Sequence, residues 1–199
     1  MKKTLLLAGV AVSMFAINVN AVEFKPYVGV DYTYTSASTN DVMVEETYLP
    51  SEYYEDSFNS FTLNIGAKFN KNLGAEVFYQ KSSAEEGQMI DLIDTDGDVI
   101  ASDKIETSFN AYGIDAQGYY SINENVELIG SLGLGKYDFE MEGFGYSASE
   151  DGLGYRIGVG AQYNISENVA VRGLVRRVIL NTDSVDDLTE ASIGVKYTF

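Results

Sequence analysis

The 199-residue chain carries 30 acidic against 13 basic residues, a net charge of −17, with 45% hydrophobic residues and no Cys, His or Trp. That charge argues against nucleic acid or an anionic membrane surface as the main partner. Without Cys there is no disulfide framework, thiolate metal site or lipid-anchoring cysteine, and without His the common zinc ligands and the usual nucleophile-activating base are missing.

Residues 1–21 open with Lys2 and Lys3, continue as the apolar run Leu5 to Ile17 and close on Val19-Asn20-Ala21, a small-x-small cleavage pattern. This is the layout of a secretory signal peptide. The apolar run has thirteen residues, short of the roughly 20 a membrane helix needs. The expected mature domain is 22–199, and loss of two lysines moves its charge to −19.

From Phe24 onward the chain alternates with a period of two, the signal of strands with two unlike faces. Eight runs do so: Phe24–Thr35, Phe58–Phe69, Leu73–Ser82, Phe109–Ile122, Val126–Tyr137, Leu153–Ile165, Val169–Leu180 and Leu188–Phe199. Three tight connections look alike, Asn70-Lys71-Asn72, Asn123-Glu124-Asn125 and Ser166-Glu167-Asn168. Between them lie polar segments near 36–57, 83–106, 138–151 and 181–187. Short turns therefore fall at one end and longer loops at the other, the organisation of an outer-membrane barrel. Each run is about as long as a tilted strand needs to cross a bilayer.

A soluble lipocalin-like barrel would show the same alternation with its apolar face inside. Full charges deep on the polar face, among them Glu76, Asp115, Arg156, Arg172 and Arg176, argue against such a cup. Aromatics also gather near both ends of the apolar face, Phe69, Tyr120, Tyr163, Tyr197 and Phe199 by the turns and Tyr32, Tyr34, Phe61, Tyr79, Tyr112 and Tyr155 by the loops. Paired girdles are what two bilayer interfaces select. The expected fold is all-β, an eight-stranded antiparallel up-and-down transmembrane barrel with short periplasmic turns and long extracellular loops.

The eight runs, Gly-Leu-Gly at 133–135, the Asn-Glu-Asn turn and the ending Val195-Lys196-Tyr197-Thr198-Phe199 resemble the small outer-membrane barrels typified by the OmpA transmembrane domain and the OmpX and opacity-protein groups. The resemblance implies a Gram-negative outer membrane as the location. It also implies Tyr197 and Phe199 as a signal read by the barrel-assembly machinery. No OmpA-like peptidoglycan-binding segment follows the barrel runs, so that tethering role does not carry over.

With the apolar face on lipid, the inward charges are Lys25, Lys68, Glu76, Glu127, Arg172 and Lys196 nearer the turns and Asp31, Asp115, Arg156, Arg176 and Glu190 nearer the loops. Five acids and six bases nearly cancel. Charges withdrawn from water need partners, so two layers of salt bridges are expected across the lumen. In an eight-stranded barrel side chains fill the interior, which favours a plugged lumen over a gated ion path. The glycines at 152, 154, 158 and 160 sit within a strand, where a phosphate loop does not fit; they leave inward space beside Arg156.

The loop segments hold 22 of the 30 acids and only Lys104 among bases. Asp94-Thr95-Asp96-Gly97-Asp98 fails as an EF-hand loop, because the sixth and twelfth positions are Val99 and Ile105. It reads instead as a hairpin tip prolonging two strands beyond the membrane. Lys81, Lys136 and Arg177 fall on the lipid-facing parity near the loop ends, where lipopolysaccharide phosphates are the expected partners. No cofactor or metal is expected, and no enzyme activity, because outer-membrane barrel enzymes of this size use a His. The remaining readings are a monomeric structural and surface-interaction barrel acting through acidic loops, with Tyr48, Leu49, Tyr53 and Tyr54 in the contact surface, or a narrow pore for ions or small solutes.

Overall fold

The computed structural model describes residues 24–39, 42–44, 47–49, 57–93, 99–143, 146–181 and 185–199. Its strands are β1 (Lys25–Thr39), β2 (Val42–Val44), β3 (Thr47–Leu49), β4 (Ser57–Lys68), β5 (Leu73–Ser82), β6 (Glu85–Ile93), β7 (Val99–Ser121), β8 (Val126–Gly143), β9 (Tyr146–Asn164), β10 (Val169–Leu180) and β11 (Val185–Thr198). Neighbours pair antiparallel in the order β1-β4-β5-β7-β8-β9-β10-β11. Pairing of β11 back onto β1, from Tyr27↔Thr198 to Thr39↔Val185, closes an eight-stranded up-and-down barrel.

The three alike turns share one bonding scheme. Asn70 Oδ1 accepts from the amides of Asn72 and Leu73 at 2.8 and 2.9 Å, and Asn123 Oδ1 accepts from Asn125 and Val126, both at 2.9 Å. Ser166 Oγ does the same at 3.4 and 3.1 Å. The third turn residue then ties to the next strand: the carbonyls of Asn72, Asn125 and Asn168 accept from the amides of Tyr119, Asn164 and Thr198, each at 2.7 Å. A short polar side chain at the first position substitutes for backbone partners the turn lacks.

Alternation places Val28, Val30, Leu63, Ile114, Leu132, Ile157, Val159, Val175, Ile193 and Val195 on the outer wall. The girdle residues Phe69, Tyr120, Tyr163, Tyr197, Phe199, Tyr32, Tyr34, Phe61, Tyr79 and Tyr155 are exposed there too, and Tyr112 half-exposed. An apolar wall of this extent is the surface lipid requires.

Two of the expected loops are largely strand. β6 continues β5 after Ser83 and Ala84 and pairs with β7 out to Ile93↔Val99, so the segment near 83–106 is a protruding hairpin. Its tip, Asp94 to Asp98, lies outside the described residues. The β8–β9 ladder runs on to Gly143↔Tyr146, through the segment 138–151 expected as loop. Alternation simply does not stop at Tyr137. Tyr137 and Phe139 are buried, while Asp138, Glu140 and Glu142 share the outer face. In the first connection β2 and β3 form a small hairpin, Val42↔Leu49 to Val44↔Thr47; Tyr53 and Tyr54 lie outside the described residues.

Candidate functional site

The register of the barrel wall builds the charged lumen. Asp31 on β1 lies opposite Gly194 on β11, which lies opposite Arg172 on β10. On the other side Asp115 on β7 lies opposite Gly133 on β8, and that opposite Arg156 on β9. The two rows follow one rule: an acid, a glycine and an arginine on three adjacent strands, all inward. A Cβ at Gly194 would collide with the Asp31 carboxylate, and one at Gly133 with that of Asp115. The absent side chain is therefore what lets each carboxylate lean across its neighbouring strand toward its arginine.

From these rows grows an alternating chain of seven charges, Asp31, Arg172, Glu76, Arg176, Asp115, Arg156 and Glu190, all of them buried. Arg172 grips both its neighbours. Its Nε and Nη2 donate to Asp31 Oδ1 and Oδ2 at 3.0 and 2.7 Å, and its Nη1 donates to Glu76 Oε2 at 2.8 Å. Asn64 Nδ2 and the Tyr27 hydroxyl add further bonds to Asp31 (2.8 Å) and Glu76 (3.0 Å). Arg176 stands 3.8 Å from Glu76 and 3.8 Å from Asp115, and among the described residues its guanidinium donates only to Ser192 Oγ, at 3.3 Å. Arg156 lies 3.2 Å from Asp115 and 3.4 Å from Glu190, donates to the Tyr137 hydroxyl at 2.8 Å and stacks 3.7 Å over the Phe78 ring.

Below this chain, toward the turns, Lys68 pairs with Glu127 at 2.7 Å, and Gln162 Nε2 donates to the same carboxylate at 3.0 Å. Lys196 is buried but meets no carboxylate at ion-pair distance among the described residues. Its ammonium lies over the rings of Tyr27 (4.6 Å) and Tyr119 (5.3 Å). Tyr119 in turn donates to Gln117 Oε1. Lys25, expected in the network, is exposed at the turn rim.

Above the chain, toward the loops, the inward face becomes apolar. Phe58, Phe78, Phe109, Tyr137, Phe139, Val178, Leu180 and Leu188, with Ala37 and Ala111, form one buried cluster. Phe109 stands at its centre, edge-on to Phe58 at 5.5 Å and beside Phe139 at 5.6 Å. Sequence reasoning that assigned every apolar residue to lipid missed this cluster. Its signal is that charges appear on the outward parity of the same strands, at Lys81, Asp138, Arg177 and Asp187. Where the outside turns polar, the inside turns apolar. Of the strand glycines, Gly154 makes room for Tyr137, which accepts from Arg156, and for Val178, and Gly158 makes room for Arg176 and Ser131.

Lys81, Lys136 and Arg177 do point outward near the loop end. Lys136 lies 2.7 Å from Asp138 and 3.0 Å from Asp151, and Arg177 lies 2.7 Å from Asp187. Tyr197 and Phe199 are outward neighbours in edge-to-face contact at 5.3 Å.

The sequence matches the family model of the outer membrane protein β-barrel domain over residues 4–199. No curated protein matches it. Among solved structures the chain is similar to Neisserial surface protein A, with TM-score 0.62 and 16% identity over 87% of this chain and 97% of that one. It is also similar to Ail, the attachment invasion locus protein of Yersinia pestis, with TM-score 0.55 and 19% identity over 88% and 97%. OprG of Pseudomonas aeruginosa gives TM-score 0.58 and 15% identity over 88% and 96%. At such identities the likeness is one of fold. With the family model spanning nearly the whole chain and a closed barrel carrying an apolar outer wall, this chain belongs to the outer membrane protein β-barrel domain family.

Proposed function

We propose that the protein is an exported, monomeric outer-membrane barrel with a structural and surface-interaction role, its lumen closed to solutes and its contacts made by acidic loops. The carrying observation is what fills the interior. The largest fully buried side chains, among them Arg172, Tyr27, Tyr137, Phe78, Phe109 and Lys196, all stand on the inward face, in charged and aromatic tiers one above the other. The outward Tyr197 and Phe199 support presentation of the last strand to an assembly machinery, and residues 1–21 support export.

Loop composition sets the class of partner. With 22 acids against one base, these segments attract cationic partners and repel polyanions. One solved structure of Ail holds a heparin analogue, sucrose octasulfate; the loops of this chain suit the opposite charge. The proposal includes no catalytic step.

Single-channel recording in a planar bilayer tests closure, after a heat-dependent gel shift has established that the barrel is folded. A folded, silent barrel is expected. Steady conductance that changes on Arg156→Gln or Glu76→Gln would replace this reading with that of a narrow pore. Salt-sensitive binding of a cationic peptide, with none of sucrose octasulfate, is expected for the loops.

A further inference from the structure

We infer that the turn end of the lumen is a binding site for one small monovalent anion of halide size, taken up between the Lys196 ammonium and the Gln117 side-chain amide. Lys196 is 2% exposed, and among the described residues it meets no carboxylate at ion-pair distance. Its place in the wall explains why. In two rows an arginine reaches an acid across a glycine, Arg172–Gly194–Asp31 and Arg156–Gly133–Asp115. Lys196 on β11 lies opposite Gly29 on β1, which lies opposite Asn64 on β4. The third row repeats the spacing with a neutral amide where the acid would stand.

The acids of this region are engaged elsewhere. Glu76 accepts from Arg172 at 2.8 Å and from the Tyr27 hydroxyl at 3.0 Å, and Glu127 accepts from Lys68 at 2.7 Å and from Gln162 at 3.0 Å. Gln117 supplies an independent observation. It is buried, its Oε1 accepts from the Tyr119 hydroxyl and lies 3.2 Å from that of Tyr27, and its Nε2 has no hydrogen-bond partner among the described residues. The rings of the same two tyrosines carry the Lys196 ammonium, at 4.6 and 5.3 Å. An uncompensated cation and an idle amide donor therefore border one tyrosine pair.

A buried charge without a counter-charge and a buried donor without an acceptor each cost free energy. One anion accepting from both groups removes both costs, through charge-assisted bonds. A water molecule would satisfy the amide and leave the ammonium uncompensated. The crowding of Tyr27, Tyr119 and Lys68, whose ammonium lies 4.0 Å over the Tyr119 ring, limits the ligand to a small ion, and one uncompensated ammonium limits it to a single charge. Entry is from the turn side, where the side chains of Lys68 and Glu127 are 15% and 11% exposed. The inference goes beyond the proposed function and rests neither on a loop partner nor on closure of the lumen at its loop end.

The test is a sodium chloride titration of the refolded protein in phosphatidylcholine nanodiscs, where both mouths of the barrel meet buffer, read as the chloride NMR linewidth. Saturable broadening that bromide displaces and sulfate does not is expected for the wild type. Lys196→Met should weaken chloride binding about tenfold or more. Gln117→Glu should do the same in a barrel that stays folded by its heat-dependent gel shift, because the new carboxylate keeps the acceptor for Tyr119 and takes the anion's place beside Lys196. Lys71→Gln, at the exposed turn nearby, should leave the titration unchanged. Absence of saturable broadening in the folded wild type overturns the inference. So does broadening that survives Gln117→Glu, that is lost equally with Lys71→Gln, or that sulfate displaces as well as bromide. Conductance decides whether the lumen is closed and leaves this titration unaffected.

Discussion

The two ends of the buried charge chain are built from the same residue types and bonded in different ways. At the Asp31–Arg172–Glu76 end each carboxylate is held in two-pronged fashion by the guanidinium and topped by Asn64 or Tyr27. At the Arg176–Asp115–Arg156–Glu190 end the charges stand 3.2 to 3.8 Å apart. There both Asp115 oxygens, Glu190 Oε2 and the Nε atoms of Arg156 and Arg176 lack a hydrogen-bond partner among the described residues. Charge balance alone therefore does not order a lumen. Two-pronged, charge-assisted bonds do, and buried polar atoms without a protein partner are where a folded protein holds internal water.

Removing Arg172 should be the severest way to probe this contrast. Arg172→Ala leaves Asp31 and Glu76 buried and uncompensated, a loss of about 3–5 kcal/mol, read as the urea midpoint of barrel unfolding. Arg176→Ala should cost clearly less, since its links are long and its hydrogen bond is to a serine. Equal costs would break the comparison.

Truncating the plug should come close behind. Phe109→Ala removes the ring at the centre of the loop-end cluster and should cost about 3–5 kcal/mol if the surroundings do not collapse, less if they do. The same urea midpoint decides between these outcomes.

The paired glycines sharpen the comparison further. Gly194→Ala pushes on Asp31, which Arg172 and Asn64 hold fixed, so about 1–3 kcal/mol of overpacking is expected. Gly133→Ala pushes on Asp115, whose oxygens have no hydrogen bond to keep, and should be milder by the same measurement. The smallest expected effect is at Asp115 itself. Asp115→Asn loses no hydrogen bond seen in the structure and leaves the surplus of acid in the chain smaller, so a change within about 1 kcal/mol is expected.

Much of this site is legible in the sequence, because a strict period of two sorts residues by face without any knowledge of neighbours. Asp31, Glu76, Asp115, Arg156, Arg172, Arg176 and Glu190 are assigned inward on that ground, and all are buried. Their partners are not legible. Arg172 meets Asp31 across 141 positions of sequence, a contact that exists only because β11 closes onto β1 in one register. Lys196 shows the same limit from the other side: it is buried as its parity requires, yet it meets two tyrosine rings where a carboxylate was expected.

The loop-end cluster is the larger gap. Phe58, Phe109 and Phe139 obey the same alternation as the wall below them, with the polarity of the two faces exchanged. Period carries no label for which face meets lipid, which meets water and which meets the core.

By itself, then, the sequence determined the eight strands, the end at which they turn tightly and the face on which each side chain stands, because these follow from local backbone geometry and from the oxygen of Asn70, Asn123 or Ser166. Only the tertiary structure decided which charges meet, how far the ladders rise past the wall, and where the interior changes from charged to aromatic. Those depend on register and closure, which bring together residues on strands far apart in the chain and so appear only when the whole barrel is assembled.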